Sequence, residues 1–129
     1  MNDLMKTLAA SASGMAAQAS RIRLSSENIA NSDTPGYRRK TVSFEEALAG
    51  TDTRAVRTGP VRLDKAELVK VFDPKNPLAG KDGYFEGSNV NMLVEIADAR
   101  EANRSYEANL KMFDQARQMA SALLDLLRK

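Results

Sequence analysis

The residues of this chain that could do chemistry are few and poorly placed for it. Glu45 and Glu46 are adjacent carboxylates, but neighbours on a strand or helix diverge to different faces. They cannot divide a general acid and general base between them on one substrate. The chain has no cysteine and no histidine. That removes thiolate nucleophiles, disulfides, Cys/His zinc sites and the commonest general base together. No glycine-rich phosphate loop occurs, and no hydroxyl sits beside a base at useful spacing. The inventory argues against an enzyme and predicts neither cofactor nor metal.

Arg38-Arg39-Lys40 is the dense basic spot. Coming after a helix and a short turn, it superficially resembles a helix-turn-helix DNA reader. Against that, residues 37–44 lack a recognition-helix pattern, the turn carries Pro35-Gly36, and Glu45-Glu46 follow. The formal charge is only +2 and is spread along the chain, so neither nucleic acid nor an anionic membrane is expected as a partner. No segment is long and apolar enough to span a bilayer. Lys6, the run over residues 8–17 and Ala10-Ser11-Ala12 imitate a secretory signal. The run is mostly alanine and serine, however, and Asp3 precedes the lysine. It is too weak for the apolar core of such a signal, so these residues are expected to stay uncleaved. Absence of cysteine is compatible with an oxidising compartment without requiring one.

The elements that must position these residues follow from the punctuation. All four prolines and six of the seven glycines lie between residues 35 and 87. Proline and glycine interrupt regular structure, so the chain divides into a helical arm at 1–31, an irregular or β-rich middle at 32–88, and a long helix at 89–129. The expected fold is mainly α. The two terminal helices pair as a coiled-coil-like hairpin, and the small middle segment joins them.

In the first arm Leu8, Ala12, Met15, Ala19, Ile22, Ser26 and Ile29 step by four and three, and Leu4 extends the series. This is a heptad seam with small residues where a stable coil would carry leucine. In the second, Met92, Ile96, Ala99, Asn103, Tyr106, Leu110, Phe113, Arg117, Ala120, Leu124 and Leu127 keep the same step. Asn103 there is either a register-setting polar residue or a tolerated break. A second stripe of Met112, Ala116, Met119, Leu123 and Leu126 widens the apolar face, as several neighbours would require. Glu107 with Lys111, and Asp125 with Lys129, are spaced as favourable i,i+4 pairs. Asn89 or Asn91 suits the N-cap, and a helix from 91 to 127 would span roughly 55 Å.

In the middle, Pro35-Gly36 fits the centre of a type II turn, and Thr34 is pushed out of the helical region by the proline. Residues 41–44, 55–63 (interrupted at Gly59-Pro60) and 68–72 are β-prone. Asp73-Pro74, Asn76-Pro77 and Lys81-Asp82-Gly83 mark loops and turns. Asn28 and Asn31 either turn the chain through bonds to backbone or contact a neighbour. Tyr37 is either packed inside or an interface anchor.

Asn28-Ile29-Ala30-Asn31 followed by Thr34-Pro35-Gly36-Tyr37 closely resembles the N-terminal signature of the bacterial flagellar axial proteins. Within that family several further stretches are similar to the basal-body rod subunits: Val71-Phe72-Asp73-Pro74, Asp82-Gly83-Tyr84, Asn89-Val90-Asn91, Ser105-Tyr106-Glu107-Ala108-Asn109 and Ala116-Arg117-Gln118-Met119. The resemblance covers most of the chain and is weakest over about 46–68. It implies a structural subunit of the rod, located in the basal body and crossing the periplasm. Such a subunit is exported through the flagellar type III apparatus without signal cleavage. Its partners are other rod subunits and basal-body proteins, with which it builds a helical tube. The expected assembly interface comprises Leu8, Met15, Ile22 and Ile29 on the first arm, and Ile96, Tyr106, Leu110, Phe113, Leu124 and Leu127 on the second. Asn28, Asn31 and Tyr37 complete it at the helix end. The rival reading is a small helical adaptor or secretion chaperone, which has no reason to carry the Asn-Ile-Ala-Asn and Thr-Pro-Gly-Tyr stretch.

Overall fold

A computed structural model describes residues 2–46 and 55–128. Two long helices, α1 (Asn2–Ala30) and α2 (Met92–Leu127), flank a middle of four strands: β1 (Lys40–Glu46), β2 (Val56–Leu63), β3 (Lys70–Phe72) and β4 (Tyr84–Glu86). α1 is rich in alanine and free of proline, with its β-branched residues isolated, so nothing interrupts it until Thr34-Pro35 approaches. Its last carbonyls are closed by Asn31 N–H to Glu27 O at 3.1 Å and Ser32 N–H to Ile29 O at 3.2 Å. The expected turn then forms: Tyr37 N–H donates to Thr34 O at 3.1 Å, and Gly36 sits at φ 75°, where L side chains are strained. At the other end Asn91 caps α2, its side-chain oxygen accepting from Leu93 N–H at 3.0 Å and Val94 N–H at 3.5 Å.

The helices run antiparallel. Arg21 lies beside Asp98 and Glu101, while Gly14, nearer the start of α1, lies against Asn109, farther along α2. The line along which they touch is not the greasy heptad expected from sequence. On α1 the buried positions are Ser11, Ala17, Leu24, Ser25 and Asn28. On α2 Glu95, Ala102 and Ala116 are buried, and half-buried Asn109 falls midway between the last two. Of the expected seam, Ala12, Ala19 and Ser26 are exposed, as are Met92, Ile96, Asn103, Leu110, Arg117, Leu124 and Leu127. Leu8, Met15, Ile22, Ile29, Ala99, Tyr106, Phe113 and Ala120 flank the contact half-buried. The physical reason is close approach: small side chains let the backbones near one another, and large ones are pushed aside. Asn103 therefore sets no register within the hairpin.

The ion pairs differ from expectation too. Glu107 and Lys111 are not among the ion pairs of the described residues, whereas Asp114 and Arg117 approach to 3.8 Å. Lys129, the expected partner of Asp125, lies outside the described residues.

The middle consists of two antiparallel hairpins, β1–β2 and β3–β4. Gly59-Pro60 was expected to interrupt the second β-prone piece, but β2 runs through it. Val42 pairs with Val61 and Phe44 with Thr58, leaving Ser43 opposite both Gly59 and Pro60. Two residues facing one is a β-bulge, and it accommodates Pro60, which has no N–H for the ladder. The hairpin lies along α1, where Val56 N–H donates to Ser13 Oγ at 3.0 Å. In the second hairpin Phe72 pairs with Tyr84 across the strands, their ring centroids 5.0 Å apart. β4 was not foreseen, since three residues are too few to show alternation.

A Cβ placed on Gly14 would meet Asn109 Oδ1 at 2.8 Å, and Asn109 Nδ2 is held by Ser105 O at 2.9 Å. Replacing a mid-helix glycine by alanine gains about 1 kcal/mol of helix propensity, and breaking that hydrogen bond costs about as much. Gly14→Ala should therefore leave the thermal midpoint nearly unchanged. Gly14→Leu, which no rotation of Asn109 can accommodate, should destabilise by about 2–3 kcal/mol. Thermal melts of the two variants check the close contact.

Candidate functional site

Where α1 ends, α2 begins and β1 starts, the chain builds a polar joint. The largest fully buried side chains among the described residues are here, Glu95 and Asn28, with relative exposures of 0% and 1%. Asn28 projects from the last turn of α1. Its Nδ2 donates to Lys40 O at 2.9 Å, and its Oδ1 accepts from Lys40 N–H at 2.9 Å and from the Tyr37 hydroxyl at 2.8 Å. The carboxamide thus pairs with the peptide groups of Lys40 as a neighbouring strand would. Asn31 closes the helix end instead, its Nδ2 donating to Glu27 O at 2.9 Å.

The three basic residues of the dense spot are all consumed in this region. Arg38 Nη1 donates to Asp64 O at 3.2 Å and Ala66 O at 3.0 Å. Arg39 donates through Nε to Glu95 Oε1 and through Nη2 to Asp98 Oδ2 at 2.8 Å, while its backbone N–H reaches Asn89 Oδ1 at 2.6 Å. Asn89 in turn donates to the carbonyls of Asp64 and Ala66. Lys40 pairs with Glu27. Arg21 reaches Asp98 at 3.5 Å and Glu101 at 3.4 Å. Arg39 and Lys40 are thus ion-paired within the chain, while Arg38 is tied to backbone carbonyls.

A crevice of about 310 Å³ opens beside the joint, lined by Arg21, Leu24, Arg39, Lys40, Phe44 and Glu95 among others. Its charges are already mutually paired except for Glu95 Oε2, which is buried with no hydrogen-bond partner. Among the described residues no group of three acids is disposed to hold a metal ion. The arrangement is suited to fixing geometry.

The joint raises two titrations. Burial first, then the negative charge of Glu27, pushes the Tyr37 hydroxyl above its usual 10.0, with Lys40 pulling the other way. The hydrogen bond from Lys40 to Glu27 holds the ammonium above its usual value.

The expected interface residues fall into two groups. Asn28, Asn31 and Tyr37 come together at the joint, where the Asn28 side chain is fully used and offers no surface. The apolar residues run along the flanks of the helices. Leu8, Met15, Ile22, Ile29, Tyr106 and Phe113 are half-buried, while Ile96, Leu110, Leu124 and Leu127 are open, the last at 76%. α2 has 36 residues to the 29 of α1. In the observed antiparallel register, its last turns, with Leu123, Leu124, Leu126 and Leu127, run past the start of α1. Sequence reasoning missed Glu95, and offered Asn89 only as an alternative N-cap, a place that Asn91 takes. The available signal was a single acid set between Val94 and Ile96 in an otherwise apolar stretch.

The chain is thus a terminal helical hairpin closed by a polar joint, with apolar side chains exposed along its flanks. The chain matches the family described as flagella basal body rod protein over residues 8–38, and the flagellar basal body rod FlgEFG protein C-terminal family over residues 81–126. It is 44% identical over 124 residues to the flagellar basal-body rod protein FlgC of Agrobacterium fabrum, covering 90% of this chain and 89% of that one. With the FlgC of Salmonella typhimurium it shares 33% over 121 residues, covering 88% and 90%. With that of Bacillus subtilis it shares 29% over 143 residues, covering 93% and 95%. The chain belongs to the flagellar basal-body rod protein FlgC family.

Asn28→Ala should cost about 2 kcal/mol, because it leaves the part-buried N–H and C=O of Lys40 without their partner. Denaturant midpoints measure it. The Tyr37 pKa is higher folded than unfolded. Its stabilisation is therefore complete below the unfolded value, near 10, and is lost as pH rises through the folded value. Stability should fall above about pH 10, and Tyr37→Phe should flatten that fall in alkaline denaturation curves.

Proposed function

We propose that this chain is a structural subunit of the proximal part of the flagellar rod, the drive shaft of the motor, and that it works by self-assembly with like axial proteins. Membership of the FlgC family supports the rod assignment. The observation that carries the assembly reading is the apolar surface on helices whose mutual contact line is already satisfied. Ile96, Leu110, Leu123, Leu124, Leu126 and Leu127 are all exposed large hydrophobics on α2. The last four cluster at the end of α2, and an exposed apolar cluster of this kind marks a surface that is covered in use.

On this reading the flanks of α1 and α2 pack against the helices of adjacent subunits and form the wall of a helical tube. Leu8, Met15, Ile22 and Ile29 contribute from α1, and Ile96, Tyr106, Leu110, Phe113, Leu124 and Leu127 from α2. Asn28, Asn31 and Tyr37 act from beneath, by holding the end of α1 in place. The subunit leaves the cell through the flagellar type III export apparatus without losing a signal segment and adds to the rod where it crosses the periplasm. No helix among the described residues is long and apolar enough to cross a membrane. The three segments 1–31, 32–88 and 89–129 then take separate parts, the arms building the wall and the middle its outer surface.

Leu110→Glu and Leu124→Glu alter exposed positions, so the hairpin should fold with unchanged helical circular dichroism. Each variant should still be exported, yet be missing from purified hook–basal bodies and fail to restore swimming to cells lacking the protein. Normal swimming by both variants would remove the assembly role of this flank.

A further inference from the structure

We infer that the polar joint couples the two parts of the molecule in one direction: the β1–β2 hairpin is held in place only while α1 and α2 are paired. The anchors of the joint are divided between the helices. Asn28 comes from the last turn of α1, and Glu95 and Asp98 from the first two turns of α2. Their partners are consecutive residues of the chain entering β1: Arg39 reaches α2 and Lys40 reaches α1. The Arg39 side chain turns to Glu95 and Asp98 and the Lys40 side chain to Glu27, on opposite sides as in an extended segment, so residues 39 and 40 are inserted between the two helix ends. Separating the helices removes one set of partners.

A half-formed joint is strongly disfavoured. Glu95 is fully buried, and one of its oxygens already lacks a partner. Losing Arg39 would leave a buried carboxylate uncompensated. Apart from its packing along α1, the hairpin must stand by itself, and a two-stranded sheet alone is marginal in water. Val61 and Leu63 on β2 stay open, and among the described residues β2 is bonded to α1 through Val56 N–H to Ser13 Oγ. Helix pairing, in contrast, has contacts of its own at Gly14–Asn109, Ala102 and Ala116. It can outlast the joint, whereas the joint cannot outlast it.

Hydrogen exchange on the full chain, read by mass spectrometry, tests the direction. In Arg39→Ala and the milder Asp98→Asn, amides of β1 and β2 should exchange at least about tenfold faster, while those around Gly14 and Asn109 keep their protection. In Gly14→Leu, which forces the helices apart, both regions should exchange faster together. Arg39→Lys, which restores the charge without the two-pronged geometry, should recover part of the protection. The inference is overturned if β1–β2 keeps full protection in Arg39→Ala, or keeps it in Gly14→Leu while the helices exchange freely. Loss of helical circular dichroism in both Arg39→Ala and Asp98→Asn also overturns it, because the coupling would then run both ways.

Discussion

The close approach of α1 and α2 along a line of small residues is the constraint from which the rest of the structure follows. At Gly14 even a methyl group would press on the Asn109 carboxamide. The distance between two packed helices is set by the side chains at their contact. With Ser11, Ala17, Ala102 and Ala116 there, most leucines and methionines stay beside the line, Leu24 being the large apolar side chain buried with them. The pairing gains little per residue, since a methyl contributes well under the roughly 2 kcal/mol of a buried leucine. It is nevertheless particular about register, because one step of slip would bring a bulky flank residue against a backbone.

The joint at the closed end of the hairpin follows from the same geometry. Two helix ends brought so near place the carbonyl end of α1 beside the amide end of α2. Lys40 sits at the former and Glu95 in the first turn of the latter, so each charge meets the favourable end of a helix dipole. Burying an ion pair such as Arg39–Glu95 adds little net stability compared with apolar packing. It does penalise any arrangement in which one partner is missing. The joint therefore fixes where the middle segment leaves the helices, and Asn28 reinforces this by pairing with both peptide groups of one residue.

The elements were legible in the sequence because proline and glycine are segregated, so both helices, an asparagine N-cap for α2 and the Thr34–Tyr37 turn follow from local rules. The contact line was not legible. A heptad search finds where apolar side chains recur, and here they recur beside the contact. Ser11, Gly14 and Ala17 carry no apolar signal although they are the closest points. The course of β2 through Gly59-Pro60 depended on Ser43 lying opposite, which is a cross-strand fact with no local trace. Glu95 was invisible for a similar reason. Its partner Arg39 is 56 residues away in the chain, and a lone acid in an apolar run reads as a solvent-facing residue. Asn28 and Tyr37 stood out by motif, but the motif could not show that they bond each other.

A division of labour follows from these contacts. The buried apolar residues among those described are Ala17, Leu24, Ala102 and Ala116, one large side chain and three methyl groups. A chain that is 43% hydrophobic thus fully buries few large apolar side chains and leaves many exposed, above all on α2. Small and polar groups define the closest contacts, and large apolar groups flank them or lie open. Exchanging the two sets would bury the leucines in the hairpin and leave a tighter monomer with a bland exterior. Such a molecule would resist unfolding and have less to offer a neighbour. The arrangement seen here does the opposite: it specifies shape with contacts of low individual worth and leaves the larger burial free energy for contacts beyond the single chain.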